Sequence, residues 1–289
     1  MMFTVCSLSL KEAFLLLGRN LPNQARTRDN LQRRPPMACF AGPLGGRWRT
    51  WVGLDEGRVR GLLSVRPRTG PRAWEVAYLS IPPEEEALAL LQEPGLVLAE
   101  RGAERLFLRL PADSPFLDLA RRVSFLPYGE EDLFLAPTPL PSPPTLPLRP
   151  RSPGDDQQLF QLYSLLVPPQ IRQAEGMSLQ EWQESQERWG TERVWEKERR
   201  AQGWLRLEKK GGRGSLEVLA TPEGLEGLLG YALRRLRGCG PLLCFAFPFQ
   251  EELERSLVAY GFRKVGENTL MVKELVARAR QPAFIPARA

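Results

Sequence analysis

The sequence predicts an α/β fold with a mixed sheet, built as two tandem modules, and three observations carry this prediction. The chain has 289 residues, roughly twice the length of an ordinary domain. A proline-rich segment at residues 137–147 lies near its middle and favours an extended linker over a helix or a central strand. On either side of this segment, the two halves repeat one order of predicted elements.

The repeat is visible in residue pairs at nearly constant offsets. Residues 106–135 align on residues 243–272 without a gap, and residues 61–76 align on residues 203–218. Identical pairs in the longer alignment are Leu106 with Leu243, Pro111 with Pro248, Phe125 with Phe262, Gly129 with Gly266, Glu130 with Glu267 and Leu133 with Leu270. Because these pairs are collinear, duplication of one module explains them. The predicted modules are residues 1–136 and 148–275, followed by a tail at 276–289.

Alternation of apolar residues and turn signals predict the strands of the first half, and a 3.6-residue period predicts its helices. In order, the elements are a helix at 12–18, strands at 48–54, 59–66 and 74–81, a helix at 84–101, a strand at 106–110, a helix at 115–123 and a strand at 133–136.

The second half repeats this order. Asp155 or Asp156 is predicted to cap its first helix, which runs to Val167. The elements that follow are a polar helical stretch at 178–200 with a strand as the alternative for its end, strands at 204–208 and 215–220, a helix at 225–237, a strand at 242–247, a helix at 250–260 and a strand at 269–273.

This order, and three local motifs, resemble the GNAT N-acetyltransferase superfamily over nearly the whole chain. Residues 148–155, Leu-Arg-Pro-Arg-Ser-Pro-Gly-Asp, are similar to the family's opening strand and first helix cap. Residues 257–262, Leu-Val-Ala-Tyr-Gly-Phe, resemble the end of its last helix, with the tyrosine shifted to the position before the glycine. Residues 262–267 are similar to the turn into its last hairpin. The resemblance implies that strands four and five splay apart and hold the pantetheine arm of acetyl-CoA.

The resemblance also implies that backbone amides at the start of the helix after strand four hold the pyrophosphate, where the helix dipole favours an anion. In the first half this stretch, residues 80–86, has two prolines, three glutamates and no glycine, so we expect no acetyl-CoA there. In the second half, glycines allow a close approach, although the family's basic position is missing and Glu223 and Glu226 lie nearby. The predicted cofactor-binding residues are Leu219, Thr221, Gly224, Leu225 and Gly227.

The chain has no histidine, which excludes histidine-dependent catalytic triads and leaves no imidazole ligand for zinc, so no metal is expected. A general base must then be a carboxylate, a lysine, a tyrosine or a bound water. By the resemblance, Glu217 on strand four is the predicted base and Tyr260 on the last helix is the predicted acid. The alternatives are an outward-facing strand carboxylate and a half-buried aromatic. The first half has Glu75 in place of Glu217 but Val123 in place of Tyr260.

Three tryptophans, Trp182, Trp189 and Trp195, lie on the stretch that by resemblance borders the acceptor pocket. Their faces attract a cationic amine, and core packing is the alternative interpretation.

The leading hypothesis is an acetyl-CoA-dependent N-acetyltransferase whose second half acylates a small-molecule or protein amine. The alternative is a non-catalytic protein that keeps the fold as a scaffold or binds another ligand in its cleft. A nucleic-acid partner is disfavoured because the net charge of +6 is spread over both halves. The sequence lacks a secretory signal and an apolar run long enough to cross a bilayer, so we expect a cytoplasmic protein without a membrane partner.

Overall fold

A computed structural model of the chain describes residues 3–9, 16, 22–27, 37–40, 47–56, 58–81, 87–136 and 144–275. The predicted early helix apart from residue 16, residues 82–86, the first part of the proline-rich segment and the predicted tail lie outside these residues. No helix in the described ranges is long and apolar enough to cross a membrane.

Within the described residues, twelve strands form one sheet. Those of the first half are β1 (Phe3–Ser7), β2 (Arg49–Asp55), β3 (Arg58–Pro67), β4 (Ala73–Ser80), β5 (Arg105–Pro111) and β6 (Leu126–Ala136). Those of the second half are β7 (Arg149–Pro150), β8 (Thr191–Lys197), β9 (Arg200–Lys210), β10 (Arg213–Ala220), β11 (Leu242–Ala246) and β12 (Arg263–Glu274). Their order across the sheet is β1-β2-β3-β4-β5-β12-β6-β11-β10-β9-β8-β7. This mixed α/β architecture confirms the predicted fold class.

Seven α-helices in the described ranges cover the sheet. They are α1 (Ala87–Glu100), α2 (Phe116–Arg122), α3 (Asp156–Leu166), α4 (Pro169–Glu175), α5 (Leu179–Ser185), α6 (Pro222–Arg235) and α7 (Glu251–Ala259). In the second half, α3 to α5 pack on one face of the sheet, and α6 and α7 pack on the other.

The predicted helices and strands agree with these elements apart from their ends, and three differences stand out. The sequence analysis missed β1 and α4, and the 178–200 stretch divides into α5 and β8. The division has local causes. Ser178 begins α5 as a capping box, because its hydroxyl accepts from the Glu181 amide and the Glu181 carboxylate accepts from the Ser178 amide. Asp155 precedes α3, but its carboxylate binds Arg149 instead of capping the helix.

The two halves are built alike down to single residues. Gly61 of β3 and Gly203 of β9 lie so close to a helix that a Cβ atom would come within 2.9 Å of Leu90 on α1 and 3.0 Å of Leu228 on α6. Both glycines therefore allow the same close approach of a leucine side chain from the covering helix. The predicted pair of glycines marks equivalent places in the two modules.

The last strand of each half lies in the other half's sheet, which the sequence analysis did not predict. β12 lies between β5 and β6 and runs antiparallel to both, and β6 also pairs with β11. The hydrophobic cores follow the same exchange, since Met271 of β12 is buried in the first-half core and Phe134 of β6 in the second-half core. The predicted boundary between two modules at residues 137–147 stays a prediction. It describes the order of the elements along the chain, whereas the sheet of each half includes a strand from the other half.

Strands four and five of each half splay apart, as the resemblance implied. β4 and β5 are paired in parallel at residues 73–75 and 105–107, and β10 and β11 at residues 214–217 and 242–245. β4 and β10 then continue to Ser80 and Ala220 without these partners. A V-shaped gap therefore opens in each half, just after Glu75 and Glu217.

The strand exchange predicts that a cavity made in β12 weakens the core of the other half. Met271 is fully buried, so Met271→Ala is expected to lower the free energy of unfolding by about 2–5 kcal/mol. Urea unfolding followed by tryptophan fluorescence measures this change. Val265→Ala, on the same strand at a residue that is 52% exposed, is the control and should stay within about 0.5 kcal/mol of wild type. Equal stability of the two variants would contradict the burial of Met271 in the first-half core.

Candidate functional site

In the first half, the gap between β4 and β5 is filled by the chain itself. The segment at residues 22–27 lies across it: the Gln24 amide donates to the Leu79 carbonyl at 2.7 Å, and the Arg26 amide donates to the Arg109 carbonyl at 2.9 Å. The Asn23 side chain accepts from the Leu79 amide at 2.9 Å, and Ala25 is fully buried. Backbone groups that the splay leaves unpaired are therefore satisfied internally.

In the second half, the gap is bridged by the side chain of Gln250, which directly precedes α7. Its Nε2 donates to the Val218 carbonyl of β10 at 2.8 Å, and its Oε1 accepts from the Phe247 amide at 2.9 Å. One primary amide thus satisfies one acceptor and one donor on the two splayed strands.

Two hollows meet at this second gap. A cavity lies between the sheet and helices α3 to α5, with about 750 Å³ of atom-free space including its part open to solvent, and a groove with about 790 Å³ counted in the same way runs along the starts of α6 and α7. Leu219, Phe249 and Gln250 line both of them. The corresponding cavity of the first half is smaller, about 220 Å³, and Arg26 and Thr27 of the filling segment form part of its wall. The second gap therefore leads from one hollow to the other, whereas the first is closed.

The floor of the large cavity carries a buried ion pair. Glu217 of β10 lies opposite Arg206 of β9, and their side chains are 3.5 Å apart. Arg206 is 1% exposed, stacks on Trp204 at 4.7 Å and is also 2.7 Å from Glu192. The first half keeps this register with Arg66 opposite Glu75. Glu217 is therefore in the cavity, as the predicted base must be, but it shares a guanidinium with a second carboxylate.

The first half completes the wall of this cavity. Arg68, at the end of β3, lines it and donates to the Ser185 carbonyl at 2.9 Å. The turn that follows Arg68 binds the same second-half segment, because the Gly70 amide donates to the Glu184 carbonyl at 3.0 Å and Arg72 pairs with the Glu184 carboxylate at 2.7 Å. The sequence analysis missed Arg68, since nothing in its local pattern indicates a contact with the other half.

A tyrosine lines the cavity, but it is Tyr163 of α3. Its hydroxyl donates to Glu175 of α4 at 3.2 Å, and Tyr128 of β6 donates to the other carboxylate oxygen at 3.5 Å. Burial, together with the charge of Glu175, raises the pKa of Tyr163. The Tyr163 phenol therefore stays protonated at neutral pH.

Tyr260, the predicted acid, lies at the end of α7 and binds Glu226 of α6. This hydrogen bond to an ionised carboxylate raises the pKa of Tyr260 to about 12. Its hydroxyl is thus directed along α6, and Tyr260 is outside the described lining of the cavity that holds Glu217. The structure does not bring the two predicted catalytic residues together.

The two glycines of the predicted amide cradle are packed against apolar side chains. A Cβ atom at Gly224 would lie 2.3 Å from the Trp195 ring, and one at Gly227 would lie 2.3 Å from Leu146 of the proline-rich segment. The Gly224 amide donates to the Thr221 carbonyl at 3.0 Å. Close packing is therefore sufficient to explain both glycines.

The other predicted cofactor-binding residues divide between the groove and its surroundings. Leu219 and Leu225 line the groove, whereas the Thr221 hydroxyl donates to the Gln202 carbonyl at 3.3 Å. The groove also carries Glu251 and Glu252. Within the described residues, no group of cysteines and carboxylates is arranged to hold a metal ion.

The three tryptophans have different surroundings. Trp182 lines the large cavity, as predicted. Trp189 packs edge-on against Phe245, and Trp195 belongs to the second-half core beside Gly224. Trp182 is also part of the core between the sheet and helices α3 to α5, so core packing, the alternative interpretation, applies to all three.

Comparison with solved structures identifies the fold. A tandem GNAT protein from the clavulanic acid biosynthesis pathway is 16% identical, with a TM-score of 0.57 over 96% of this chain and 100% of its own. A GCN5-related N-acetyltransferase from Sphaerobacter thermophilus is 15% identical, with a TM-score of 0.55 over 96% of this chain and 98% of its own. No family model and no curated protein matches the chain. The chain has the GNAT fold in tandem arrangement, which confirms the resemblance at the level of fold.

If Gly224 is required for packing against Trp195, a methyl group there must displace the buried indole. Gly224→Ala is then expected to lower the free energy of unfolding by about 1–3 kcal/mol, despite the better helix propensity of alanine. Thermal or urea unfolding measures the effect. Gly154→Ala is the control, because its Cβ would meet Ser152 only at an ordinary 3.7 Å. A stabilised Gly224→Ala variant would show that the contact with Trp195 is not tight.

Proposed function

We propose that the chain is an acyl-CoA-dependent N-acyltransferase with a single working site, formed by the second half. The observation that carries the proposal is the meeting of two hollows at the gap between β10 and β11, where Leu219, Phe249 and Gln250 line both. A donor entering along the groove and an acceptor held in the cavity would meet there. The first half would hold no acyl-CoA, because its gap is filled by residues 22–27, and would contribute Arg68 to the wall of the cavity.

The gap is chemically suited to a pantetheine arm. Pantetheine contains secondary amides, each with one donor and one acceptor, and the two splayed strands offer the Val218 carbonyl and the Phe247 amide. The Gln250 amide stands in for such a group. Rotation of Gln250 away from the gap would expose both partners to a ligand amide without leaving buried groups unpaired. Arg255 on the groove favours the phosphates of CoA, and Glu251 and Glu252 oppose them.

In the proposed reaction, the thioester supplies the acyl group, the acceptor nitrogen forms the amide bond and the C–S bond breaks. Glu217 lines the cavity at the gap and would take the proton that the amine loses, directly or through water. Arg206 orients Glu217 and places a positive charge beside it. The departing thiolate has a pKa of roughly 8.5, so water can protonate it, and the mechanism does not require Tyr260.

The alternative is a non-catalytic ligand-binding protein, and one observation favours it. Gln250 satisfies the Val218 carbonyl and the Phe247 amide, as expected of a gap that is closed by its own side chains. Under this interpretation the large cavity still binds a small molecule, but the groove holds no acyl-CoA.

Calorimetric titration with acetyl-CoA distinguishes the two. We expect one binding site per chain, and tighter binding by Gln250→Ala, by about three- to tenfold, because the ligand no longer has to displace the two hydrogen bonds of Gln250. Asp113→Ala changes the equivalent residue of the first half and should bind like wild type. Absence of heat at millimolar acetyl-CoA in both wild type and Gln250→Ala would overturn the proposal and leave the non-catalytic alternative.

Two further variants test the assignment of the base. Glu217→Gln is expected to lower kcat/KM for acyl transfer by about 10²-fold, since general base catalysis of this kind contributes at least that factor. Tyr260→Phe should stay within about twofold of wild type, because its hydroxyl is engaged with Glu226 away from the cavity. Release of free thiol measures both rates. A large loss in Tyr260→Phe with little change in Glu217→Gln would reverse the assignment.

A further inference from the structure

The walls of the large cavity are mostly apolar and aromatic. Three helices supply them from one side, and β9, β10 and the segment before α7 supply them from the other. The aromatic members are Tyr163, Trp182, Trp204, Phe247 and Phe249. A molecule that fills this space must present an apolar body, since a polar one would lose its hydration without compensation. Aromatic faces also attract a cation.

The charged residues of the lining carry an excess of negative charge. Glu175, Glu187 and Glu217 face the cavity together with two guanidinium groups, those of Arg68 and Arg206. Behind the wall, Arg68 and Arg206 pair with Glu75 and Glu192. These carboxylates pair in turn with Arg66 and Arg151, and Glu187 pairs with Arg109. The surplus of one carboxylate therefore belongs to the lining alone, where one positive charge on a ligand would balance it.

The same wall contains a polar atom that is available to bind a ligand, the hydroxyl oxygen of Ser185. Ser185, at the end of α5, lines the cavity and is 3% exposed. Its hydroxyl has no hydrogen-bond partner among the described residues. Buried hydroxyls are nearly always hydrogen-bonded in folded proteins, so a ligand or a water in the cavity is expected to supply the partner.

From these three observations we infer that the acceptor is an apolar monoamine, with an aromatic or branched body against the helices and a single ammonium group at the charged end near Ser185. This inference rests on the proposed function, which supplies the amine. It disfavours polyamines, because a second ammonium group would lie against the apolar part of the lining, and acidic amines, because the lining already has more carboxylates than guanidinium groups. The N-terminal half shapes the specificity, since Arg68 forms part of the charged end.

Binding of three small molecules in the absence of acyl-CoA tests the inference. Phenethylamine has the expected shape and charge, phenethyl alcohol has the shape alone, and putrescine has a second charge. Calorimetry is expected to show phenethylamine binding about tenfold more tightly than the alcohol, and putrescine at least tenfold more weakly than phenethylamine. Equal affinity for amine and alcohol, or preference for putrescine, would overturn the inference.

Substitutions of residues that line the cavity test whether the small molecules bind there. Glu175→Gln removes one charge, and its carboxamide oxygen still accepts from one tyrosine hydroxyl while its NH2 group donates to the other, so it should weaken phenethylamine about five- to tenfold and leave the alcohol unchanged. Ser185→Ala should weaken both ligands about three- to tenfold. Leu162→Trp fills the cavity and should abolish binding of both, whereas Leu165→Trp, on the same helix at a residue 75% exposed, is the matched control. Unchanged binding in Leu162→Trp would place the ligand elsewhere.

These outcomes are separate from those of the proposed function. Binding of acetyl-CoA without binding of phenethylamine would refute the inference and leave the acyltransferase proposal standing. Binding of phenethylamine without binding of acetyl-CoA would keep the cavity assignment and refute acyl transfer.

Discussion

β6 and β12 pair antiparallel at the middle of the sheet, and both halves are built outward from this pair. Each strand carries one bulge, at Tyr128 in β6 and at Val265 in β12, next to a glycine of the repeat. The bulges occupy equivalent positions, so the central pair preserves the symmetry of the duplication. Because β5 and β11 pair with this centre, the strands that splay from them, β4 and β10, are positioned by it as well.

The symmetry of the pair does not extend to the sites, because different parts of the chain occupy the two gaps. In the first half, residues 22–27 fill the gap, and in the second half a single glutamine side chain bridges it. A segment of backbone held by hydrogen bonds at both edges is displaced at the cost of all of them, whereas a side chain rotates about its own bonds. The halves therefore differ in how readily each gap opens, although both gaps have the same strand geometry.

Apolar periodicity and the repeat were sufficient to predict most of the element order and the position of Glu217 on strand four, whereas the splay was implied by the family resemblance. The amino-acid sequence was not sufficient to predict the exchange of β6 and β12. Since these strands are copies of one another, pairing with either half satisfies the same apolar pattern and register. The side chains that bridge the second gap and complete the cavity wall were missed for a related reason. Gln250 and Arg68 act through contacts distant in the chain, and Tyr260 was placed by a motif whose tyrosine is shifted along the helix.

The network around Arg68 links the docking of the halves to the shape of the cavity. Glu187 of the second half lies 2.7 Å from Arg109 and 3.7 Å from Arg68, and both arginines also bind first-half carboxylates. Removing such groups from water costs several kcal/mol each, so the network is a weak source of net stability. The network instead favours one docking of the two halves over others. Any other docking of residues 184–188 would leave buried guanidinium groups with fewer partners. The docking that satisfies them also puts Arg68 in the cavity wall beside Ser185. The charged end of the cavity is therefore formed only when the two halves meet in this register, which gives the first half a role at the site although its own gap is closed.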